Sequence, residues 1–428
     1  MNHFRLFYRE HFFTEQRKKD LFFFFLYSLQ GLPIYFFTLT LPTILRSLGY
    51  PLSFISSLGL LGIPWALKFL WAPLIDHFGN RKFGRRKSWL FPLQCFLALL
   101  FFILIFLPPA QSGTQQQSFF LSWPILSFLI VLSSATQDTA LDALMMDCLS
   151  QEERGRGNAW ASAGSAVGVL CGGTLGLYFF EYWGWSVAMF LLAVLHLCGL
   201  FVMMKFPETE YVLQKDFSHR APMKSLFVDC SKKFTDFFTR KGMIPFLFFV
   251  LLFRSSEALM MGIQSSFLVD QHFTLTEIGS YLGFWGAVGG LISAYLAGQY
   301  LKKQTPLVFL MKIALMKCAL YVLMTYLTLN HQAEYKNIYF VLIQSHIYLR
   351  YMILVALYTQ FMKYCVKNQQ ATDFSLLASL DLLVYIALVS VSGFFVQQFG
   401  YSSLFALQTL LALTSILTFS FMVKRFPS

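Results

Sequence analysis

Between Ser88 and Gln137 the chain reads SWLFPLQCFLALLFFILIFLPPAQSGTQQQSFFLSWPILSFLIVLSSATQ, fifty residues without one Asp, Glu, Lys or Arg. A helix needs about 20 mainly apolar residues to cross the hydrocarbon core of a bilayer, so this run alone holds two crossings. Charge-free runs also extend from Leu21 to Leu45, from Ile278 to Leu301 and from Leu382 to Val423. Across all 428 residues 57% are hydrophobic, 18% aromatic and 13% charged, and the mean hydropathy is +0.58. An ordinary soluble domain is roughly a quarter charged. This much apolar surface cannot be hidden in soluble cores, which excludes a water-soluble enzyme as the default reading.

The pattern predicts twelve spans, at 20–45, 53–75, 89–108, 119–147, 159–180, 185–205, 242–266, 276–300, 307–329, 337–361, 372–397 and 402–423. With a cytoplasmic N-terminus, the cytoplasmic segments carry 25 Lys and Arg, while the outer loops carry only Arg46 and Lys336. One missed or invented helix would invert every later loop, so this asymmetry supports both the count and two cytoplasmic termini. The net charge of +12 then reflects topology and anionic headgroups rather than nucleic acid. The first 20 residues mix basic and acidic groups and lack a cleavage pattern, so span one is expected to act as a signal anchor. Seven cysteines, Cys230 among them, form no CxxC pair, and neither a disulfide, a metal site nor a cofactor is expected.

The polar stretch from Phe206 to Lys241 separates six spans from six. The expected organisation is a helical bundle over 1–205, a cytoplasmic linker over 206–241 and a second bundle over 242–428, the pattern of transporters built from two repeats. Helix-breaking residue types are concentrated in the first half, Gly31 and Pro33 in span one and Gly62, Pro64 and Pro73 in span two. Gly168, Gly172 and Gly176 form a small-residue stripe on span five that suits close helix packing.

Ionisable groups inside spans are costly and are therefore functional candidates. Lys68, Arg254, Lys317 and Arg350 are the deep basic residues; Lys205 and Lys312 also lie outside the loops. On span four Asp138 and Asp142 are one turn apart on one face, while Asp147 points away and nearer the cytoplasm. Arg254 and Glu257 stand at i and i+3, His346 and Arg350 share a face of span ten, and Asp373 and Asp381 lie on span eleven. These groups either line a cavity that attracts an anionic solute while a carboxylate carries a proton, or hold the bundle together as ion pairs. Burial favours the neutral form of a carboxylate, which makes Asp138 and Asp142 the proton-coupling candidates. For Arg254 with Glu257 the structural pair is the stronger alternative.

After span two come Asp76, Gly79, Arg81, Lys82, Gly84, Arg85, Arg86 and Lys87. An acid at a helix end followed by a glycine-rich basic turn can act as a cytoplasmic gate, with Asp76 meeting a helix N-terminus and Arg85 and Arg86 meeting carboxylates. Plain positive-inside anchoring would explain the basic run but not Asp76 and Gly84. The second half has only an echo, Gly298, Gln299, Lys302 and Lys303, with Gln in the acid's place, so the gate is expected to be asymmetric.

This loop resembles that of the major facilitator superfamily, and the likeness runs from span one to span twelve. It implies an all-α membrane fold of two six-helix pseudo-repeats. Three stretches, PWALKFLWAPLID (64–76), GRRKSWLFPLQ (84–94) and SATQDTALDALMMDCLSQEERGRGN (134–158), resemble the group that holds the AmpG-type muropeptide permeases, the acetyl-CoA transporters and the siderophore permeases of the rhizobactin and pyochelin type. Muropeptide permeases usually carry a basic residue where Met145 stands and often have extra C-terminal spans. The phrase from Asp142 to Asn158 looks more like the siderophore permeases. By resemblance the expectation is an inner-membrane, proton-coupled importer of a bulky, polar, anionic solute, a siderophore or ferric siderophore, with an AmpG-type muropeptide permease or an acetyl-CoA-type transporter as the alternative. The solute would be held near the midplane by Lys68, Arg254, Lys317 or Arg350, with Gln30, Tyr35 and Gln137 as neutral hydrogen-bonders, in a monomer working by alternating access. The alternative from another class is a polytopic membrane transferase. Such an enzyme usually shows a His and Asp cluster at the interface, and only His77 lies near an acid in a motif.

Overall fold

The computed structural model describes residues 2–80, 82–110, 117–150, 153–208, 237–240, 242–330, 335–365 and 370–425. Arg81, Cys230, Lys367 and most of the expected linker lie outside them.

Among the described residues, ten helical stretches are long and apolar enough to cross a membrane: Gln16–Ser47, Leu52–Leu70, Lys87–Leu104, Trp123–Cys148, Arg156–Lys205, Met243–Asp270, Leu275–Tyr300, Pro306–Leu329, Lys336–Tyr364 and Asp373–Thr418. A straight helix of 50 residues, the length of Arg156–Lys205, would measure about 75 Å at 1.5 Å per residue, far beyond a hydrocarbon core of about 30 Å. It is broken at Gly184 (φ 80°, ψ −178°), as Asp373–Thr418 is broken at Gly400 (φ 80°, ψ 167°). That backbone region is essentially open to glycine alone. With both halves of the two broken helices counted, the described residues hold the twelve spans expected, and the breaks fall where the sequence places the five–six and eleven–twelve junctions. The exterior is apolar, with Phe190, Leu197, Phe201, Ile292, Leu410 and Leu417 all exposed, as a lipid-facing surface requires.

The chain forms two compact units, one of Met1–Leu48 with Leu67–Gln214 and the other of Gly49–Ala66 with Lys215–Ser428. The first part of span two, which the sequence reading places in the bundle over 1–205, thus groups with the second unit. Ser56 Oγ donates to the Ser390 carbonyl at 2.9 Å, and Gln397 Oε1 accepts from the Ser53 N–H at 3.3 Å.

In the first unit span one packs along span five and span three along span six. Close approach of one and five depends on the glycine stripe: a Cβ at Gly168 would lie 2.7 Å from the Ser28 carbonyl oxygen. Both helices carry a π-helical turn, Phe36–Thr40 and Leu170–Leu175. Thr40 Oγ1 lies 2.6 and 3.1 Å from the Gly172 and Gly173 carbonyl oxygens, so its one proton is shared between groups that the irregular turn leaves short of donors. In the second unit span seven and span nine pack along the eleven–twelve helix, and span eight against span ten.

Candidate functional site

Span two is not a continuous α-helix. Short 3-10 turns at Leu58–Gly62 and Lys68–Leu70 interrupt it on either side of Pro64, and Pro73 opens the next turn at Ala72–His77. Lys68 stands in the second irregular turn, where its ammonium pairs with the Asp138 carboxylate of span four. Asp142, one turn on, accepts a hydrogen bond from the Tyr27 hydroxyl of span one at 2.6 Å. Three spans therefore meet at two carboxylates on one helix face. Gln137 is buried and donates its amide to Gln94 Oε1 of span three. Gln30 is buried on span one, and its backbone carbonyl accepts from the Ser134 hydroxyl at 3.4 Å. Tyr35 sits half-buried at the end of the helix Asn2–Tyr35.

The loop after span two wraps around one guanidinium. Arg86 Nη2 lies 2.8 Å from Asp76 Oδ1 and Nε lies 2.8 Å from Asp147 Oδ2, while Nη1 donates to the Ile75 carbonyl at 3.0 Å. Arg85 Nη2 donates to the Asp76 carbonyl at 2.5 Å. Glu208, just beyond span six, accepts from the backbone N–H groups of Arg86 and Lys87, both at 2.8 Å, at the start of the helix Lys87–Leu104. A carboxylate is favoured there because the first N–H groups of a helix lack intrahelical partners. Gly84 makes room for it: its φ is +109°, and a Cβ there would lie 2.5 Å from Glu208 Oε2. Asp76, Gly84, Arg85 and Arg86 thus belong to one cluster, which Asp147 and Glu208 complete.

In the second unit the deep cations gather around Glu257. Arg254 Nη1 lies 2.6 Å from Glu257 Oε2 and Nε lies 2.8 Å from Asp381 Oδ1; Arg350 Nε lies 3.2 Å from Glu257 Oε1. Both guanidinium groups face the Tyr385 ring, at 4.8 and 5.8 Å from its centroid. Lys317 is buried, donates to the Phe253 carbonyl at 3.0 Å and sits 4.5 Å from the Phe253 ring centroid. It makes no ion pair with a carboxylate among the described residues. The i, i+3 pair expected of Arg254 and Glu257 is present, extended by Asp381 and Arg350.

Sequence reading missed Tyr27, Gln94, His196, Glu208 and Tyr385 as partners. Gln94 and His196 carried a signal, since each is a polar side chain in an otherwise apolar span. Tyr27, Tyr385 and Glu208 carried none, because a tyrosine is ordinary in an apolar span and Glu208 lies among the charges of a polar stretch.

Apolar helices carrying paired charges inside each unit define a polytopic membrane protein. The chain belongs to the Major Facilitator Superfamily, whose sequence model matches residues 23–355. It is a multi-pass secondary transporter of small molecules, not an enzyme. It is 25% identical over 393 residues to a Rickettsia conorii protein designated transporter AmpG 4, a match that covers 91% of this chain and 92% of that one. It is 27% identical over 378 residues to the anhydromuropeptide permease of Escherichia coli K12, covering 88% and 74%. Among solved structures it resembles a POT family transporter in complex with 5-aminolevulinic acid, with a TM-score of 0.71 at 12% identity and 96% of each chain covered. These relatives favour the muropeptide alternative over the siderophore that the residues from Asp142 to Asn158 suggested.

Proposed function

We propose that the protein imports a sugar–peptide solute of the anhydromuropeptide class across the inner membrane, driven by the proton gradient. The observation that carries this reading is the Lys68–Asp138 ion pair with Asp142 one turn on, in a chain that aligns along 88% of its length with a permease named for that solute. A proton on Asp138 cancels its charge and releases the Lys68 ammonium to meet a carboxylate of the solute's peptide. Loss of the proton restores the pair and displaces the solute. Tyr27 donates to Asp142 and holds it in place beside this exchange.

The test is uptake of radiolabelled anhydro-disaccharide peptide by cells whose own permease is deleted, with and without this gene. Gene-dependent uptake that a protonophore abolishes is expected, with ferric siderophore uptake unchanged as the control. Equal uptake with and without the gene would refute the reading.

A further inference from the structure

The geometry points to Gln94 as a positioning residue. Clamped by His196, it fixes which way the Gln137 amide faces, and so presents Gln137 Oε1 as a hydrogen-bond acceptor for a hydroxyl or amide N–H of the solute. The solute is that of the proposed function, so the inference rests on that reading.

The assignment starts from a group whose role is unambiguous. Gln94 Nε2 lies 3.0 Å from the His196 carbonyl oxygen and 3.0 Å from His196 Nδ1. A carbonyl oxygen only accepts, so the Gln94 atom facing it is the NH2 group, and its two protons go to these two partners. Nδ1 then accepts as well, which places the ring proton on Nε2. Gln94 Oε1 is therefore the atom turned toward Gln137, and it takes the Gln137 NH2. Turning either amide over would set two oxygens or two NH2 groups face to face.

Packing locks the clamp. His196 is wholly buried, and its ring stacks on Phe101 with centroids 5.3 Å apart and planes 11° apart. Gly199 on the same helix leaves the space that the Gln94 amide fills, since a Cβ there would lie 2.5 Å from Gln94 Nε2. At the far end of the chain of amides, Gln137 Oε1 is buried with no hydrogen-bond partner among the described residues. Gln137 precedes Asp138, the residue paired with Lys68. A buried acceptor without a partner is costly, and the donor that satisfies it is assigned to the solute.

Transport kinetics of the labelled anhydro-disaccharide peptide test this in the full-length protein. Gln94→Leu and Gln137→Leu are each expected to raise KM about five- to tenfold, the loss of one well-made hydrogen bond, with Vmax within about twofold. The double variant should be no worse than Gln137→Leu alone. Gln94→Glu keeps an O–H donor and a C=O acceptor while protonated, so it should restore a near-normal KM at acid pH. A purely structural role for Gln94 would instead lower Vmax and protein level and add to the Gln137 effect. Wild-type KM in Gln94→Leu, or additive losses, would overturn the inference while leaving the solute intact. Absence of uptake by the wild-type protein would overturn the solute and, with it, the role of Oε1. Should Gln94→Leu fail to reach the membrane, [15N]histidine spectra of the wild-type protein decide: a proton on Nε2 of His196 supports the clamp, and a proton on Nδ1 overturns it.

Discussion

Glu257→Gln removes the charge at the centre of the second unit's cluster. The Glu257 side chain is 0% exposed and faces Arg254 at 2.6 Å and Arg350 at 3.2 Å. Arg254 keeps Asp381 at 2.8 Å, so the uncompensated cation in the variant is Arg350. Breaking a buried pair by neutralising one partner costs about 3–5 kcal/mol because the other charge is left buried and uncompensated, a cost that removing both charges together avoids. The Arg350 side chain is 25% exposed and so partly reached by solvent, which places the expected loss near the lower end, about 3 kcal/mol. Restoring balance with Glu257→Gln/Arg350→Gln should recover most of that loss. Equilibrium unfolding of the purified variants in mixed micelles measures both quantities. A loss below about 1 kcal/mol for the single variant, the range of exposed pairs, would show that Arg350 does not depend on Glu257. So would a double variant as unstable as the sum of its parts.

Four further outcomes are expected. Asp138→Asn should abolish accumulation driven by a proton gradient while leaving solute exchange between the two sides, measured in proteoliposomes; intact accumulation would remove Asp138 from coupling. Gly184→Ala or Gly400→Ala should each cost about 1–3 kcal/mol through the backbone alone, since no atom lies within 4 Å of the added Cβ. The helical Gly298→Ala, equally unobstructed, serves as the control and should not destabilise. Gly84→Ala should lower thermal stability, because it pushes a methyl against Glu208 and strains a positive φ; Glu208→Ala should cost about 0.5–2 kcal/mol, as loss of a helix cap does. Glu153 lies between spans four and five. Burial opposes its charge, but hydrogen bonds from Gln16 and the Ser150 N–H, with Lys19 and Arg156 nearby, hold its carboxyl below the ordinary 4.5. Its contribution is thus present above pH 4.5 and lost as pH falls through the lowered value, so unfolding scans should show an acid-side loss that Glu153→Gln removes.

The twelve spans were legible because the bilayer imposes a one-dimensional rule, a minimum apolar length between charges, and Ser88–Gln137 obeys it without exception. The breaks at Gly184 and Gly400 could be placed for the same reason, since two apolar spans with almost nothing between them leave few positions for a turn. Pairs within one helix, such as Arg254 with Glu257, follow from spacing alone. Pairs between helices do not: Tyr27 is 115 residues from Asp142 and Glu208 is 122 from Arg86. Their meeting depends on how each helix is rotated about its axis, and the near-uniform hydrophobicity of a lipid-facing helix hides that rotation. The grouping of Gly49–Ala66 with the second unit was illegible on the same grounds.

The single-residue joints at Gly184 and Gly400 also bear on how the protein can be handled. Spans five and six, and likewise eleven and twelve, share one glycine instead of a loop, so these junctions present no segment for a protease to cut or an epitope tag to replace. An insertion there would have to be absorbed by unwinding helix on both sides. Each pair is therefore expected to enter the bilayer during synthesis as one folded unit, and cross-links or probes meant for that end of either bundle belong on other connections.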